Sequence, residues 1–321
     1  MKVLITGVHG TTGAFLVEKL SPYHTVYGMD DTTEAMEGVS KVFLCTEFPL
    51  VPDVDAVIHL AGKDADTIDL SKSLEYMENN VGLTRCIFEW FKNSNAKQFY
   101  YLSSIKVIGN RTDSEELTEE MEPLPFGPLG ESKYMVEQYL QETWLLDKKV
   151  YILRTAFLHG RGLLCNDNLK RIFNWIRKGI PYVFGSFECR RSFTSLDNLH
   201  FVIAQMLEKD IPGGVYHLTD DRSMRSTEFI KLMGQTLGKK ARIWRLGKGI
   251  FKVLAYMTGL FHGYFDMFEY RKLTLNFVTS NQKLKNALGL ERMPFKLQEG
   301  LVKSAKEYAE SLIGVNDIEK E

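Results

Sequence analysis

Lys2-Val-Leu-Ile-Thr6 runs directly into Gly7-Val-His-Gly10-Thr-Thr-Gly13, and these twelve residues decide the fold. After Lys2, the residues Val3 to Thr6 are apolar or β-branched and predict a strand. Three glycines follow at three-residue spacing, and Ala14 to Leu20 then predicts a helix. Strand, tight turn and helix N-terminus together form the cradle of a dinucleotide pyrophosphate. A Cβ at the glycines would block the turn and keep the backbone from the phosphates. The free N–H groups and positive dipole end of the helix face the anion. Gly7, His9, Gly10, Thr11, Thr12 and Gly13 are therefore candidate cofactor-binding residues.

A second strand, Thr25 to Met29, ends in Asp30, at the distance where an acidic residue meets the adenosine ribose. Asp30 and Asp31 would repel a 2′-phosphate, and no lysine or arginine follows until Lys41, which favours NAD over NADP. The plainer reading of Asp30 is a solvated turn residue after a strand.

At 321 residues the chain is long for one core and predicts a larger and a smaller lobe sharing a cleft. Hydrophobic content of 44% and charged content of 25% are those of an ordinary globular protein. A net charge of −1 gives no electrostatic case for nucleic acid or an anionic membrane. Cys45, Cys86, Cys165 and Cys189 have no metal-ligand spacing and read as buried reduced thiols of a cytosolic protein, so no metal site is expected. The first strand begins at once, leaving no room for a signal peptide. No apolar run approaches the ~20 residues of a spanning helix.

Further strands are expected near Lys41 to Cys45, over Asp55 to Gly62, over Phe99 to Ser104 and over Val150 to Arg154. Helical patterns fall between them at about Leu70 to Asn93 and Gly130 to Leu146, with a loop over Asn110 to Pro128. The alternation predicts an α/β protein, a Rossmann-type doubly wound parallel sheet over residues 1–155. Beyond about Ala156 helices (Asn168 to Lys178, Asn198 to Leu207, Ser226 to Leu237) mix with short strands near Tyr182 to Phe184 and Val215 to Leu218. This predicts a smaller α+β substrate lobe over residues 156–321, some of whose segments return to the main sheet. Gly249 to Phe261 is apolar and aromatic with few charges, fitting lobe packing or a dimer face better than an amphipathic membrane contact.

In Pro128-Leu-Gly-Glu-Ser-Lys133-Tyr-Met-Val136-Glu137-Gln-Tyr-Leu140, Leu129, Val136, Leu140 and Trp144 share one helix face with Lys133. A lysine in an apolar stripe is costly unless its ammonium finds partners, which cofactor ribose hydroxyls would supply. The alternative is a lysine that snorkels to water.

Gly7-x-x-Gly10-x-x-Gly13, Asp30, His59-Leu-Ala, Asn80-Val, Leu102-Ser-Ser-Ile-Lys-Val-Ile-Gly109, Pro128-x-Gly-x-Ser-Lys133-x-x-x-Glu137 and Arg190-Arg-Ser-Phe193 to Asp197-Asn198 resemble the extended short-chain dehydrogenase/reductases. Within these NAD-dependent epimerase/dehydratases the resemblance is to UDP-glucose 4-epimerase-like enzymes of surface-polysaccharide pathways, carried also by Gly179 to Ser186. It implies bound NAD, a UDP-sugar substrate, a cytoplasmic location and a homodimer formed through helices that include the one carrying Lys133. It places Leu60, Ala61, Gly62, Asn80 and Lys133 on the cofactor. It places Ser104, Lys106, Asn168, Phe184 and Arg191 on the substrate, Arg191 clamping the diphosphate and Asn168 and Phe184 holding the uracil.

Catalysis in that family uses Ser104, Lys133, the supporting Asn80 and a tyrosine one helical turn before the lysine. Here that position is Leu129, which cannot transfer a proton. Loss of a general acid–base costs ~10²–10⁴ in rate. Three readings stay open: a nucleotide-sugar epimerase or 4-keto reductase using water, His159 or Tyr134 as the base; a non-catalytic binder of NAD and sugar nucleotide; or an altered reaction such as dehydration. His59 reads as a satisfied core histidine rather than a ligand.

Overall fold

The computed structural model describes residues 1–65, 67, 69–109, 116–143, 147–161, 167–259, 270 and 276–318. Its centre is a seven-stranded sheet of β1 (Lys2–Thr6), β2 (Thr25–Asp30), β3 (Val39–Leu44), β4 (Ala56–His59), β5 (Gln98–Ser104), β6 (Lys149–Thr155) and, later in the chain, β10 (Gly214–Leu218). The order is β10-β6-β5-β4-β1-β2-β3, and every ladder is parallel. This is a Rossmann-like α/β fold.

Alternation along the strands builds two cores. Val3, Ile5, Ala56, Ile58, Tyr100, Tyr151 and Leu153 face one side, where they pack on α1 (Thr11–Leu20) and α6 (Leu196–Glu208). Leu4, Val57, Phe99, Tyr101, Val150 and Ile152 face the other, against α3 (Leu83–Asn93) and α4 (Gly127–Glu142). Both faces are covered, which is why the central residues of these strands, such as Val3 to Ile5 and Val150 to Leu153, are hydrophobic on both sides instead of alternating with polar ones. A short helix α2 (Ser73–Tyr76) leads into α3 through a π-turn at Met77–Gly82.

The second lobe gathers α5 (Asp167–Arg177), α7 (Ser226–Thr236) and the long helix Leu297–Ile318 around Phe173, Phe193, Phe229 and Leu301. Two small two-stranded sheets join it, β7 (Phe157–His159) with β9 (Phe193–Ser195) and β8 (Arg190–Arg191) with β11 (Met224–Arg225). The helix α8 (Lys248–Gly259) rests on this lobe through Phe251 and Ala255, both buried.

Several expectations need correction. Tyr182 to Phe184 is not a strand. It makes single bridges, Tyr182 to Ile243 and Phe184 to Arg245, because neither segment holds extended pairing longer than one residue. The helix expected from Gly130 begins at Gly127, where Pro128 takes the first turn, the position at which its missing N–H costs nothing. The cysteines are not uniformly buried: Cys189 is, Cys45 is partly exposed and Cys86 is exposed. Cys165 and Trp144 lie outside the described residues. Among the described residues no helix is long and apolar enough to cross a membrane.

Candidate active site

A cleft of about 750 Å³ opens at the C-terminal ends of the central strands, the edge at which open α/β sheets take their ligands. A hollow of about 620 Å³ at the opposite edge is lined by Met1, Tyr23, His24, Asp53, Asp55 and Asn95, away from the glycine turn.

The glycine turn forms one wall of the cleft. Gly7 sits at φ +73°, the left-handed region, and a Cβ on it would lie 3.0 Å from the Ala61 backbone. A Cβ on Gly13 would lie 2.0 Å from the Gly7 carbonyl oxygen. No side chain caps α1, so a bound anion is the natural partner for its first amide groups. These residues fit a dinucleotide pyrophosphate.

Asp30 and Asp31 line the adjoining part of the cleft. The Asp30 carboxylate accepts the backbone N–H groups of His9 and Asp31, each at 2.9 Å, so its orientation is set before any ligand arrives. The His9 ring lies 3.2 Å from Asp30 and beside the Glu34 carbonyl, not in the cleft lining. It is the His9 backbone N–H, not the ring, that hydrogen-bonds the acidic residue.

Behind the cleft runs an ordered chain of hydrogen bonds. Thr84 donates to the Asn80 carbonyl at 2.5 Å and therefore receives the proton of His59 Nε2 at 2.8 Å. His59 Nδ1 then accepts from Thr6 Oγ1 at 2.7 Å, whose oxygen takes the N–H groups of Leu60 and Ala61 at 3.2 Å. The ring is fully buried, and burial pushes its pKa down to about 3. The neutral tautomer thus locks the loop Leu60-Ala61-Gly62, all three of which line the cleft.

At the other end of the cleft stand Ser104, Lys106, Leu129 and Lys133. Burial lowers the Lys133 pKa to about 8, against the opposing charges of Asp64 and Glu137. Its ammonium donates to the Leu102 carbonyl at 2.9 Å and lies 4.8 Å above the Tyr101 ring. It does not snorkel, because α4 buries Leu129, Val136 and Leu140 on the same face. Below it, Glu137 receives a paired contact from Arg154, at 2.7–3.1 Å, and the Ser103 hydroxyl at 2.5 Å. That buried network ties α4 to β5 and β6 and sets the height of Lys133 over the cleft.

Asn80 makes its side-chain hydrogen bonds to residues other than Lys133. Its amide donates to Ser132 Oγ at 2.8 Å and the Lys63 carbonyl at 3.1 Å, and its oxygen accepts the Lys63 N–H at 2.7 Å. It supports the lysine only through the neighbouring Ser132. Two substitute bases are also placed elsewhere. Tyr134 accepts a hydrogen bond from Gln138 on the surface of α4, and His159 is buried against Asp220 at 2.9 Å. Neither lines the cleft.

On the substrate side the Arg191 guanidinium lies 4.9 Å over Phe157, a cleft residue. Phe184 is outside the lining and packs on Phe251 at 4.9 Å and Tyr182 at 5.7 Å. The Asn168 side chain lies outside the described residues. Sequence reasoning missed Asp64, Ser103 and the run Thr155-Ala-Phe-Leu158, all of which line the cleft. Their signal was position, since each sits at or just beyond the end of a buried strand. Among the described residues no metal-ligating cluster forms.

The family model described as NAD dependent epimerase/dehydratase family matches residues 3–218. The chain is 25% identical over 328 residues to UDP-glucose 4-epimerase of Vibrio cholerae, covering 96% of each protein. It is 24% identical over 342 residues to short-chain dehydrogenase/reductase family 42E member 1 of Mus musculus, covering 92% of this chain and 85% of that one. The solved structure of MoeE5 in complex with UDP-glucuronic acid and NAD has the same fold, with TM-score 0.77, 18% identity, and coverage of 97% of this chain and 100% of that one.

Proposed function

The chain belongs to the NAD-dependent epimerase/dehydratase family, and we propose that within it the protein is a UDP-sugar 4-epimerase in which leucine replaces the usual phenol. NAD is its cofactor. The observation that carries the reading is the convergence of Ser104, Lys133 and Leu129 beside the glycine cradle, in one cleft. The likeness to UDP-glucose 4-epimerase of Vibrio cholerae over nearly the full length supports a sugar nucleotide as substrate.

Gly7, Gly10 and Gly13 would hold the pyrophosphate, Asp30 the adenosine ribose and Lys133 the nicotinamide ribose. When bound, NAD supplies the acceptor of the hydride from the sugar carbon and its donor on return. Ser104 orients the sugar hydroxyl. Tyr134 and His159 do not line the cleft, which leaves water or the amine of Lys133 to take the proton of that hydroxyl. We assign it to Lys133, whose pKa of about 8 leaves part of it neutral at physiological pH. The keto sugar then presents its other face and Lys133 returns the proton to oxygen. Arg191 takes the diphosphate, beside Phe157.

The test is incubation with NAD and UDP-glucose or UDP-N-acetylglucosamine at about pH 9, where the amine is mostly free. Formation of the 4-epimer, with product mass unchanged, is expected, and a loss of the mass of water would reassign the reaction to dehydration. Leu129 favours a second reading, a non-catalytic binder. Calorimetric binding of both ligands without turnover at any pH would establish it. We also propose a cytoplasmic homodimer serving surface-polysaccharide synthesis, with α4 in the interface, where Met135 is exposed.

A further inference from the structure

We propose that α8 and the basic segment before it dock the protein on the surface of an anionic lipid bilayer. Lys239, Lys240, Arg242, Arg245, Lys248 and Lys252 are all exposed, and residues 229–259 contain no aspartate or glutamate. The whole chain has a net charge of only −1, so this positive stretch is a local segregation.

The helix has two apolar stripes, one buried and, among the described residues, one exposed. Phe251 and Ala255 are buried, with Phe251 stacked against Phe184 at 4.9 Å and Phe187 at 5.5 Å. At about 100° per residue, Ile250, Val253, Leu254 and Met257 form a second stripe on a different side. Their exposures are 60%, 64%, 46% and 51%. Trp244, 55% exposed, and Leu246 stand just ahead of the helix. Lys248 and Lys252 fall opposite the exposed stripe. An apolar stripe backed by a basic face, with an interfacial tryptophan, is the pattern of a helix lying in a membrane surface. At 12 residues, α8 is too short to span.

Charge chooses the occupant. An apolar stripe alone would suit a second copy, but these six exposed cations, with no acidic residue across 229–259, call for an anionic partner. Arg245 meets Glu188 at 3.3 Å but remains largely exposed, so the internal compensation is slight. Anionic head groups neutralise the segment while the acyl boundary takes the stripe.

The test is cosedimentation of the full chain with vesicles of phosphatidylcholine and phosphatidylglycerol in equal parts, against phosphatidylcholine alone. Binding is expected on the anionic vesicles and about tenfold or more weaker on neutral ones or in about 0.5 M salt. The variant Lys239→Glu/Lys240→Glu/Arg242→Glu and, separately, Ile250→Ser/Val253→Ser/Met257→Ser should each lose about tenfold or more in partitioning. Both alter exposed side chains and should leave NAD binding unchanged. No binding, or equal binding to both vesicle types, would overturn the proposal. A dimer in light scattering that the serine variant abolishes, without vesicle binding, would assign the face to a second copy instead.

Discussion

Replacing Leu129 by tyrosine should raise turnover of the sugar nucleotide and change its pH dependence. The Lys133 pKa falls from 10.5 to about 8, so holding its charge in this site costs about 3 kcal/mol at 1.36 kcal/mol per unit. Only about one-tenth of the amine is neutral at pH 7, and native activity should climb with pH through about 8. A phenol at 129 lets the lysine stay charged, and that charge draws the phenol's pKa toward neutrality. A positioned acid–base contributes ~10²–10⁴ in rate, and the gain at pH 7 should fall in that range. Leu129 borders the cleft of about 750 Å³, so a ring at this position would reach the same space. The assay is epimer formation from UDP-glucose across about pH 6 to 10, with calorimetry to establish that binding is intact. A native profile flat through pH 8, or a tyrosine variant with full binding and no gain at any pH, would refute the reasoning.

Gly13→Ala should weaken NAD binding by about tenfold or more, read by calorimetry, because the new Cβ meets the Gly7 carbonyl at 2.0 Å and must open the turn. Glu137→Ala leaves the buried Arg154 guanidinium uncompensated, and urea unfolding should show about 3–5 kcal/mol of lost stability. His59 and His217 both have pKa values pushed down to about 3 by burial. The unfolded chain therefore binds more protons between roughly pH 3 and 6.5. Stability should be full above about 6.5 and fall with acidification by about 1.4 kcal/mol per histidine per pH unit, seen as a dropping urea midpoint.

The parallel sheet was legible because strands covered on both faces are apolar on both, as Ala56 to Ile58 is. The glycine turn was legible because Gly13 tolerates no Cβ. Lys133 stood out by cost, as a charge on an apolar helix face, and the cleft absorbs that cost. The side-chain directions of His9, Phe184 and Tyr134, none of which lines the cleft, were not legible for one reason. Their backbone positions were readable, but the direction of a side chain depends on neighbours distant in sequence, such as Asp30, Phe251 and Gln138. Asp64 was missed because a carboxylate in a loop has no periodicity to betray it.

The seventh strand has a practical consequence. β10 arrives after β7, β8 and β9 and zips along β6 from Gly214–Tyr151 to Leu218–Thr155. A gene cut after residue 155 would bare the amide edge of β6, whose residues Val150 to Leu153 are wholly apolar, and such an edge recruits other chains. Anyone grafting the nucleotide half onto another scaffold must carry this returning ribbon along, or supply a stand-in for it.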